Sequence, residues 1–324
     1  MSGPLKIWTN AQLPDNDMEA LVKGAQPSTV TVAAQTANNL AATAGDPDLA
    51  EADIAFGQPD PEQVIALPNL RWVQLTSAGY TRYDRPDLFA AVKARAAVLT
   101  NSSSVYNEPC AQHLLAFMLA VSRCLPESWA AQRLDYRWEY DRLRPQTRLL
   151  TGQNLALVGY GAIARRLIEL LEPFHMNLVA FRRQPRGDEL APTYPIGDLL
   201  AHLAGVDHVV DILPATEATN GFFNDRIFSA FRPGCSFYNI GRGTTVDQPA
   251  LLAALDSGHV GTAYIDVTDP EPLPTEHPLW STPNCYITPH IGGGYQTEYT
   301  RLVEHFLKNL RRFDAGEPLQ DTLS

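Results

Sequence analysis

Three side chains in the C-terminal half of this 324-residue chain could do chemistry together: Arg242, Glu271 and His290, spaced by 29 and 19 residues. A guanidinium can grip an anion, a carboxylate can hold an imidazole N–H, and an imidazole titrates near neutral pH and moves protons. Each lies in a short, turn-rich segment: Asn239-Ile240-Gly241-Arg242-Gly243, then Asp266-Val267-Thr268-Asp269-Pro270-Glu271-Pro272, then Thr288-Pro289-His290-Ile291-Gly292-Gly293. Each segment follows an apolar, strand-like run, and residues leaving the carboxyl ends of parallel strands line the crevice where open α/β sheets bind ligands. Singly, each has an ordinary reading as a loop cation, a solvated carboxylate in a proline-rich turn, or one of eight histidines. What makes the set informative is that it lies downstream of a nucleotide fingerprint.

That fingerprint is Gly159-Tyr160-Gly161-Ala162-Ile163-Ala164, a GxGxxA pattern between the apolar run NLALV and a helical stripe in AIARRLIELLEPF. The first glycine permits a tight turn, the second lets backbone approach a pyrophosphate, and the small third residue lets the helix pack closely, its N-terminal N–H groups facing the anion. About 20 residues beyond such a loop, an NAD site places an acid on the ribose hydroxyls. Here that place, at the end of NLVAF, holds Arg182 and Arg183. Guanidinium groups there can hold a 2′-phosphate that a carboxylate would repel, so NADP(H) is the expected cofactor, with NAD(H) as the alternative. From Arg165 through Arg186 five arginines face only Glu169 and Glu172, in a chain whose formal charge is −11. The competing reading makes both arginines ordinary surface residues.

The elements that must position these groups fall into two parts. From Pro4 to about Leu99, strand-like runs begin at Leu5, Thr29, Ala52, Arg71 and Ala96, with a helix expected over Asp60 to Ala66. Asn107-Glu108-Pro109 reads as a cap and first turn of a helix continuing to Arg123 through His113, Leu114, Phe117, Met118 and Val121, and the domain crossing is expected beside it. Pro126 to Leu149, rich in Arg, Tyr, Trp and Asp, reads as a surface arm or subunit contact. From Asn154 onward strands alternate with helical patterns: NLALV, NLVAF, HVVDIL, CSFYNI, TAYIDV and CYITPH, with a last helix from about Thr297 to Phe313. Such alternation predicts a parallel sheet covered on both faces, and a final helix returning to the first part would make the cofactor domain an insertion.

Composition narrows the class. Hydrophobic residues are 45% and charged residues 19%, which argues for globular cores and against disorder. The acidic balance argues against nucleic acid as a partner. Nothing approaches 18 apolar residues in a row, so no membrane span is expected, and Cys110, Cys124, Cys235 and Cys285, without a CxxC, read as reduced thiols in a cytoplasmic protein. No metal-ligand pattern is present, and Ser77 and Cys110 lack the context of a nucleophile.

With these motifs in hand, the sequence resembles the D-isomer-specific 2-hydroxyacid dehydrogenase family, which includes glyoxylate/hydroxypyruvate reductases. The resemblance runs through the glycine loop, NIGRGTTVDQPALLAALDSG, DVTDPEPLPTEHPLW and TPHIGGG, and more faintly through LTSAGYTRYD and NSSSVYNEPCAQHLLAFMLAVSR. It therefore covers most of the chain from Arg71 onward. It implies an α/β fold of two Rossmann-like domains with parallel sheets: a substrate domain of residues 1–99 with 292–324, and an inserted dinucleotide domain of residues 100–291. The family's catalytic arginine, glutamate and histidine fall on Arg242, Glu271 and His290. In reduction of a small 2-keto acid, His290 would supply the proton, Glu271 would hold its ring, and Arg242 would grip the substrate carboxylate.

The resemblance further places Ser77, Ala78 and Gly79 in a carboxylate-binding loop, with Gly57 in the same pocket. It makes Leu213 and Pro214 a cofactor-lining turn and sets Asp266 near the nicotinamide, with Ile240, Gly241, Gly292 and Gly293 alongside. The arginines at 182 and 183 depart from the usual acid and look like the NADP-preferring subset. A homodimer built on Pro109 to Leu149 is implied. A dinucleotide-sensing, corepressor-like protein is the competing function on the same fold. A third, oxidation of an inorganic or one-carbon anion, would draw on Phe56, Gly57 and Gln58.

Overall fold

The computed structural model describes residues 3–37 and 45–323. The chain divides into two compact units: Met1–Tyr106 with Tyr295–Ser324, and Asn107–Gly294 between them in sequence. Both crossings fall a few residues later than the sequence-based boundaries.

In the first unit five parallel strands, β1 (Lys6–Ala11), β2 (Thr29–Ala37), β3 (Ile54–Gly57), β4 (Trp72–Leu75) and β5 (Val98–Thr100), lie in the order β2-β1-β3-β4-β5. The register sets Ile7 beside Ile54 and Ile54 beside Trp72. Helices α1 (Asp15–Gly24), α2 (Pro61–Ala66) and α3 (Pro86–Ala94) connect them. Asp60 starts α2 by accepting the Glu62 N–H ahead of a first-turn proline. Every residue of β3 and β4 is buried, the pattern of a strand covered on both faces. The C-terminal helix, Glu298–Asp314, closes this unit: Phe306, fully buried, stacks on Phe56 at 4.4 Å and on Trp72 at 5.1 Å.

Helix α4 (Ser103–Ser122) begins earlier than Asn107. Its first N–H groups are taken by side chains the local sequence does not single out: Asn101 Oδ1 accepts from Ser103 at 3.1 Å, and Asp321 Oδ2 from Ser104 at 2.9 Å. Pro109 is therefore inside the helix rather than at its first turn. The Val105 carbonyl, which Pro109 leaves without a helical N–H, accepts from the Tyr295 hydroxyl at 3.4 Å.

In the second unit seven parallel strands, β6 (Asn154–Val158), β7 (Asn177–Arg182), β8 (Thr193–Pro195), β9 (His208–Asp211), β10 (Cys235–Asn239), β11 (Val260–Ile265) and β12 (Cys285–Ile287), take the order β12-β11-β10-β9-β6-β7-β8. This is the doubly wound arrangement, whose strand order reverses between β6 and β9. The arm beyond α4 consists of α5 (Leu125–Ala130), a π-helical turn and α6 (Tyr140–Leu143), and leaves Tyr136 and Trp138 89% and 92% exposed. Helices α7 (Ala162–Leu171), α8 (Asp225–Phe228) and α9 (Gln248–Asp256) follow. The core gathers Val158, Phe181, Leu203, Phe237 and Leu251. Among the described residues no single helix is long and apolar enough to cross a membrane, and no cluster of three or more metal-ligating side chains occurs.

Candidate active site

The reversal between β6 and β9 opens a crevice at the carboxyl ends of the strands, and the predicted dinucleotide residues gather there. Gly159 leaves β6 at φ +105°, and a Cβ on it would stand 2.7 Å from the Ile212 carbonyl oxygen beyond β9, so only glycine serves. Gly161 caps α7 without a side-chain hydrogen bond, and a Cβ there would meet nothing within 4 Å. Ala162 and Ile163 form the first turn behind it. An open cradle at an uncapped helix N-terminus fits a pyrophosphate. Leu213 and Pro214 leave β9 in the same place; the Leu213 backbone packs against Gly241, and the Ile240 N–H donates to the Asp211 carbonyl at 3.2 Å.

Arg182 and Arg183 differ in their surroundings. Arg182 Nη1 donates to Glu189 Oε1 at 2.8 Å, and its guanidinium carbon lies 5.5 Å from the Tyr160 ring centre. Glu189 also accepts the Arg186 and Gly187 N–H groups at 2.8 Å each, and these contacts, led by the Arg186 N–H, hold its carboxyl down to about 2. Arg183 is exposed. Asp188 lies 3.7 Å from Arg165, and Glu108 pairs with Arg166. The positive balance read from Arg165 to Arg186 is thus offset by Asp188 and Glu189 just beyond that stretch and by Glu108 on α4.

At the end of β10, Arg242 donates from Nη1 to the Gly241 carbonyl at 2.6 Å. Burial pulls its pKa below the usual arginine value, while Glu271 pushes it back up. The Arg242 carbonyl accepts from Asn239 Nδ2 at 3.1 Å, from the Thr245 N–H at 3.2 Å and lies 2.6 Å from Thr245 Oγ1. Gly243 follows so close to the Thr268 backbone that a Cβ would lie 1.9 Å from its carbonyl oxygen.

Glu271 and His290 meet: Nδ1 of the imidazole is 3.0 Å from Oε1 and 3.1 Å from Oε2. The His290 backbone sits at φ +53°, and its N–H donates to the Asp266 carbonyl at 2.8 Å. Asp266 then fastens the rest of the loop, accepting from Thr288 Oγ1 at 2.6 Å, the Ile291 N–H at 3.0 Å and the Gly292 N–H at 2.9 Å; half-buried Gly293 comes next. His113, on α4, places Nε2 3.5 Å from Asp266 Oδ1. Burial alone would raise the Asp266 pKa, yet the bonds from His113, Thr288 and Gly292 leave it below the usual carboxylate range.

Ser77, Ala78, Gly79 and Gly57 belong to the first unit, at the carboxyl end of its sheet. Gln58, 1% exposed, ties them together: its amide donates to Thr76 Oγ1 and Ser77 Oγ at 3.1 Å each, and its carbonyl accepts from Arg82 Nη2 at 3.0 Å. Ser77 Oγ donates to the Gly79 carbonyl at 2.6 Å, and Asn101 Nδ2 to the Ala78 carbonyl at 2.7 Å. Residues of these networks that the sequence does not single out as site residues include His113, Asp211, Thr245 and Glu189. For Glu189 the sequence carries a signal, an acid seven places after Arg182, whereas His113 falls within the helical apolar stripe of α4.

Residues 115–292 match the family model described as D-isomer specific 2-hydroxyacid dehydrogenase, NAD binding domain. The chain is 33% identical over 239 residues to glyoxylate/hydroxypyruvate reductase B of Citrobacter koseri, covering 72% of each chain. It is 32% identical over 244 residues to the human glyoxylate reductase/hydroxypyruvate reductase, covering 72% of this chain and 71% of that one. Among solved structures, a D-isomer specific 2-hydroxyacid dehydrogenase from Xanthobacter autotrophicus Py2 in complex with NADPH and MES aligns with TM-score 0.81 and 28% identity, over 100% of this chain and 98% of the other.

Proposed function

The chain belongs to the D-isomer specific 2-hydroxyacid dehydrogenase family, and we propose that it is an NADP(H)-preferring reductase of small 2-keto acids of the glyoxylate and hydroxypyruvate type. The observation that carries this reading is the pair made by His290 and Glu271, 3.0 Å apart, in the same unit as Arg242 and the glycine loop. Gly159, Gly161 and the first turn of α7 hold the pyrophosphate, and Arg183 meets the 2′-phosphate. When bound, the reduced nicotinamide supplies the hydride. His290 has Nδ1 against Glu271, so Nε2 gives the proton to the developing alkoxide, and Glu271 steadies the imidazolium before that transfer. Arg242 keeps most of its donors for the substrate carboxylate and carbonyl. Asp266 fixes the backbone that presents His290. In the first unit the loop Ser77–Gly79, braced by Gln58, offers backbone N–H groups to the same class of anion.

Several reductases among the relatives argue against the dinucleotide-sensing alternative. The exposed aromatic arm supports a homodimer. The test is the loss of NADPH absorbance with glyoxylate, hydroxypyruvate and pyruvate, repeated with NADH. No turnover with any 2-keto acid and either cofactor would overturn the reading.

A further inference from the structure

Asp211, at the last position of β9, is fully buried with a relative exposure of 0%. Its strand neighbours in register are Val158 on β6 and Asn239 on β10, neither of them charged. Its carboxyl oxygens are in unlike surroundings. Oδ1 accepts the Leu213 N–H at 2.9 Å, while Oδ2 lies 2.5 Å from Thr245 Oγ1. Thr245 Oγ1 is in turn 2.6 Å from the Arg242 carbonyl. Three oxygens therefore stand in a row, Asp211 Oδ2, Thr245 Oγ1 and the Arg242 carbonyl, with two gaps of hydrogen-bond length between them. A threonine hydroxyl has one proton and can fill one gap. The second gap needs another proton, and a carbonyl oxygen has none to give.

We propose that Asp211 works as a neutral carboxylic acid, a positioning residue that donates from Oδ2 to Thr245 so that Thr245 donates to the Arg242 carbonyl and fixes the turn carrying that arginine. The unlike oxygens fit: the one that accepts an N–H is the C=O, and the one facing a hydroxyl is the O–H. An ionised carboxylate would take the threonine proton and leave Thr245 Oγ1 and the Arg242 carbonyl as two acceptors in contact. Burial acts in the same direction, raising the Asp211 pKa to about 7 against the hydrogen bonds of Thr245 and the Leu213 N–H, and no charged side chain contributes. The proposal rests on the reading of Arg242 as the substrate's cation. It makes the grip on substrate, rather than the proton transfer at His290, weaken as pH rises through neutrality.

Asp211→Asn separates the two protonation states. An asparagine can donate from Nδ2 to Thr245 and accept the Leu213 N–H at Oδ1, which copies the neutral acid and not the carboxylate. The expected result is a KM for glyoxylate that rises roughly three- to tenfold between about pH 6.5 and 8.5 in the unmodified enzyme and stays within about twofold in Asp211→Asn, with kcat little changed. Thr245→Val should raise KM roughly tenfold at every pH, and Thr245→Ser should restore it. The infrared C=O band of a protonated carboxyl, present at pH 6 and missing in Asp211→Asn, reads the proton directly. A KM in Asp211→Asn as poor as in Thr245→Val, or no such band in the unmodified protein, would overturn the proposal. If no 2-keto acid were reduced, the functional reading would fail, and the infrared comparison would still decide the state of Asp211.

Discussion

Glu189 closes on Arg182 at 2.8 Å, with its other oxygen taken by the Gly187 N–H. One of the two arginines read as a phosphate site is thus committed to a carboxylate of its own chain. The cofactor preference should then depend mainly on Arg183. We expect Arg183→Ala to lower kcat/KM for NADPH roughly tenfold and leave NADH within about twofold, the loss of about one charge-assisted hydrogen bond. Glu189→Gln, which releases Arg182, should move the NADPH to NADH ratio the other way. The comparison needs fixed ionic strength, since exposed arginine contacts are screened by salt. Equal kcat/KM for the two cofactors in the unmodified enzyme would show that neither arginine meets the 2′-phosphate.

His290→Ala should remove proton transfer while sparing the dinucleotide site. The expected loss of kcat is roughly 100-fold or more, with the Kd for NADPH, read by fluorescence titration, changed by less than about threefold. Retention of near-normal kcat would end the assignment. Glu271→Gln should fall between the two, because the ring keeps a hydrogen-bond partner and loses the charge that steadies its protonated form.

Asp211 gives the folded protein a pH dependence of its own. Its folded pKa, about 7, lies above the ordinary carboxylate value of 3.8, so between these two the folded state holds a proton the unfolded chain has released. Its contribution to stability is greatest below about pH 4 and is lost as pH rises toward and past 7. Asp211→Asn lacks this dependence. Its melting temperature relative to the unmodified protein should therefore climb from pH 4.5 to about 7 and level off above that, and a constant difference across that range would show that Asp211 is not raised.

Gly243→Ala tests the close pass between the Arg242 turn and the Thr268 segment. The added methyl would lie 1.9 Å from the Thr268 carbonyl oxygen and 2.7 Å from the Asp269 nitrogen, backbone atoms that cannot swing aside as a side chain tip could. We expect a stability loss of about 2 kcal/mol or more, seen as a lower urea midpoint, and a weakened KM for the keto acid. An unchanged midpoint would mean the two segments part easily.

The arm beyond α4 presents Leu134, Tyr136 and Trp138 at 77%, 89% and 92% exposure. Sedimentation at micromolar concentration should report a dimer, and Tyr136→Glu combined with Trp138→Glu should give a monomer. A monomeric unmodified chain would remove the dimer from the proposal without touching the chemistry.

How far the sequence could be read depended on how local the signal was. The glycine loop and the run NLALV sit within a dozen residues and specify strand, turn and helix together. The start of α4 did not, because the acceptor for its Ser104 N–H is Asp321, 217 positions away. Strand β8 escaped because three residues carry no periodicity, and its pairing comes only from β7. Asp211 was hidden inside HVVDIL, an apolar run in which a single acid is no sign of a site until the oxygens around it can be measured. Glu271 and His290 could be named from their motifs, but that their side chains meet depends on the β11 and β12 turns, which no spacing of 19 residues dictates.

The first unit is assembled from both ends of the chain. Phe306, in the C-terminal helix, fills the space over Phe56 and Trp72, two of its largest fully buried side chains. During synthesis the strands that carry those rings emerge from the ribosome first, yet they gain their cover only after the whole of Asn107–Gly294 has followed. The intervening unit, contiguous in sequence, has all its strands in hand by then. The order of birth is therefore the reverse of the order of completion, and the nascent chain must carry an uncovered aromatic face for nearly two hundred residues of translation.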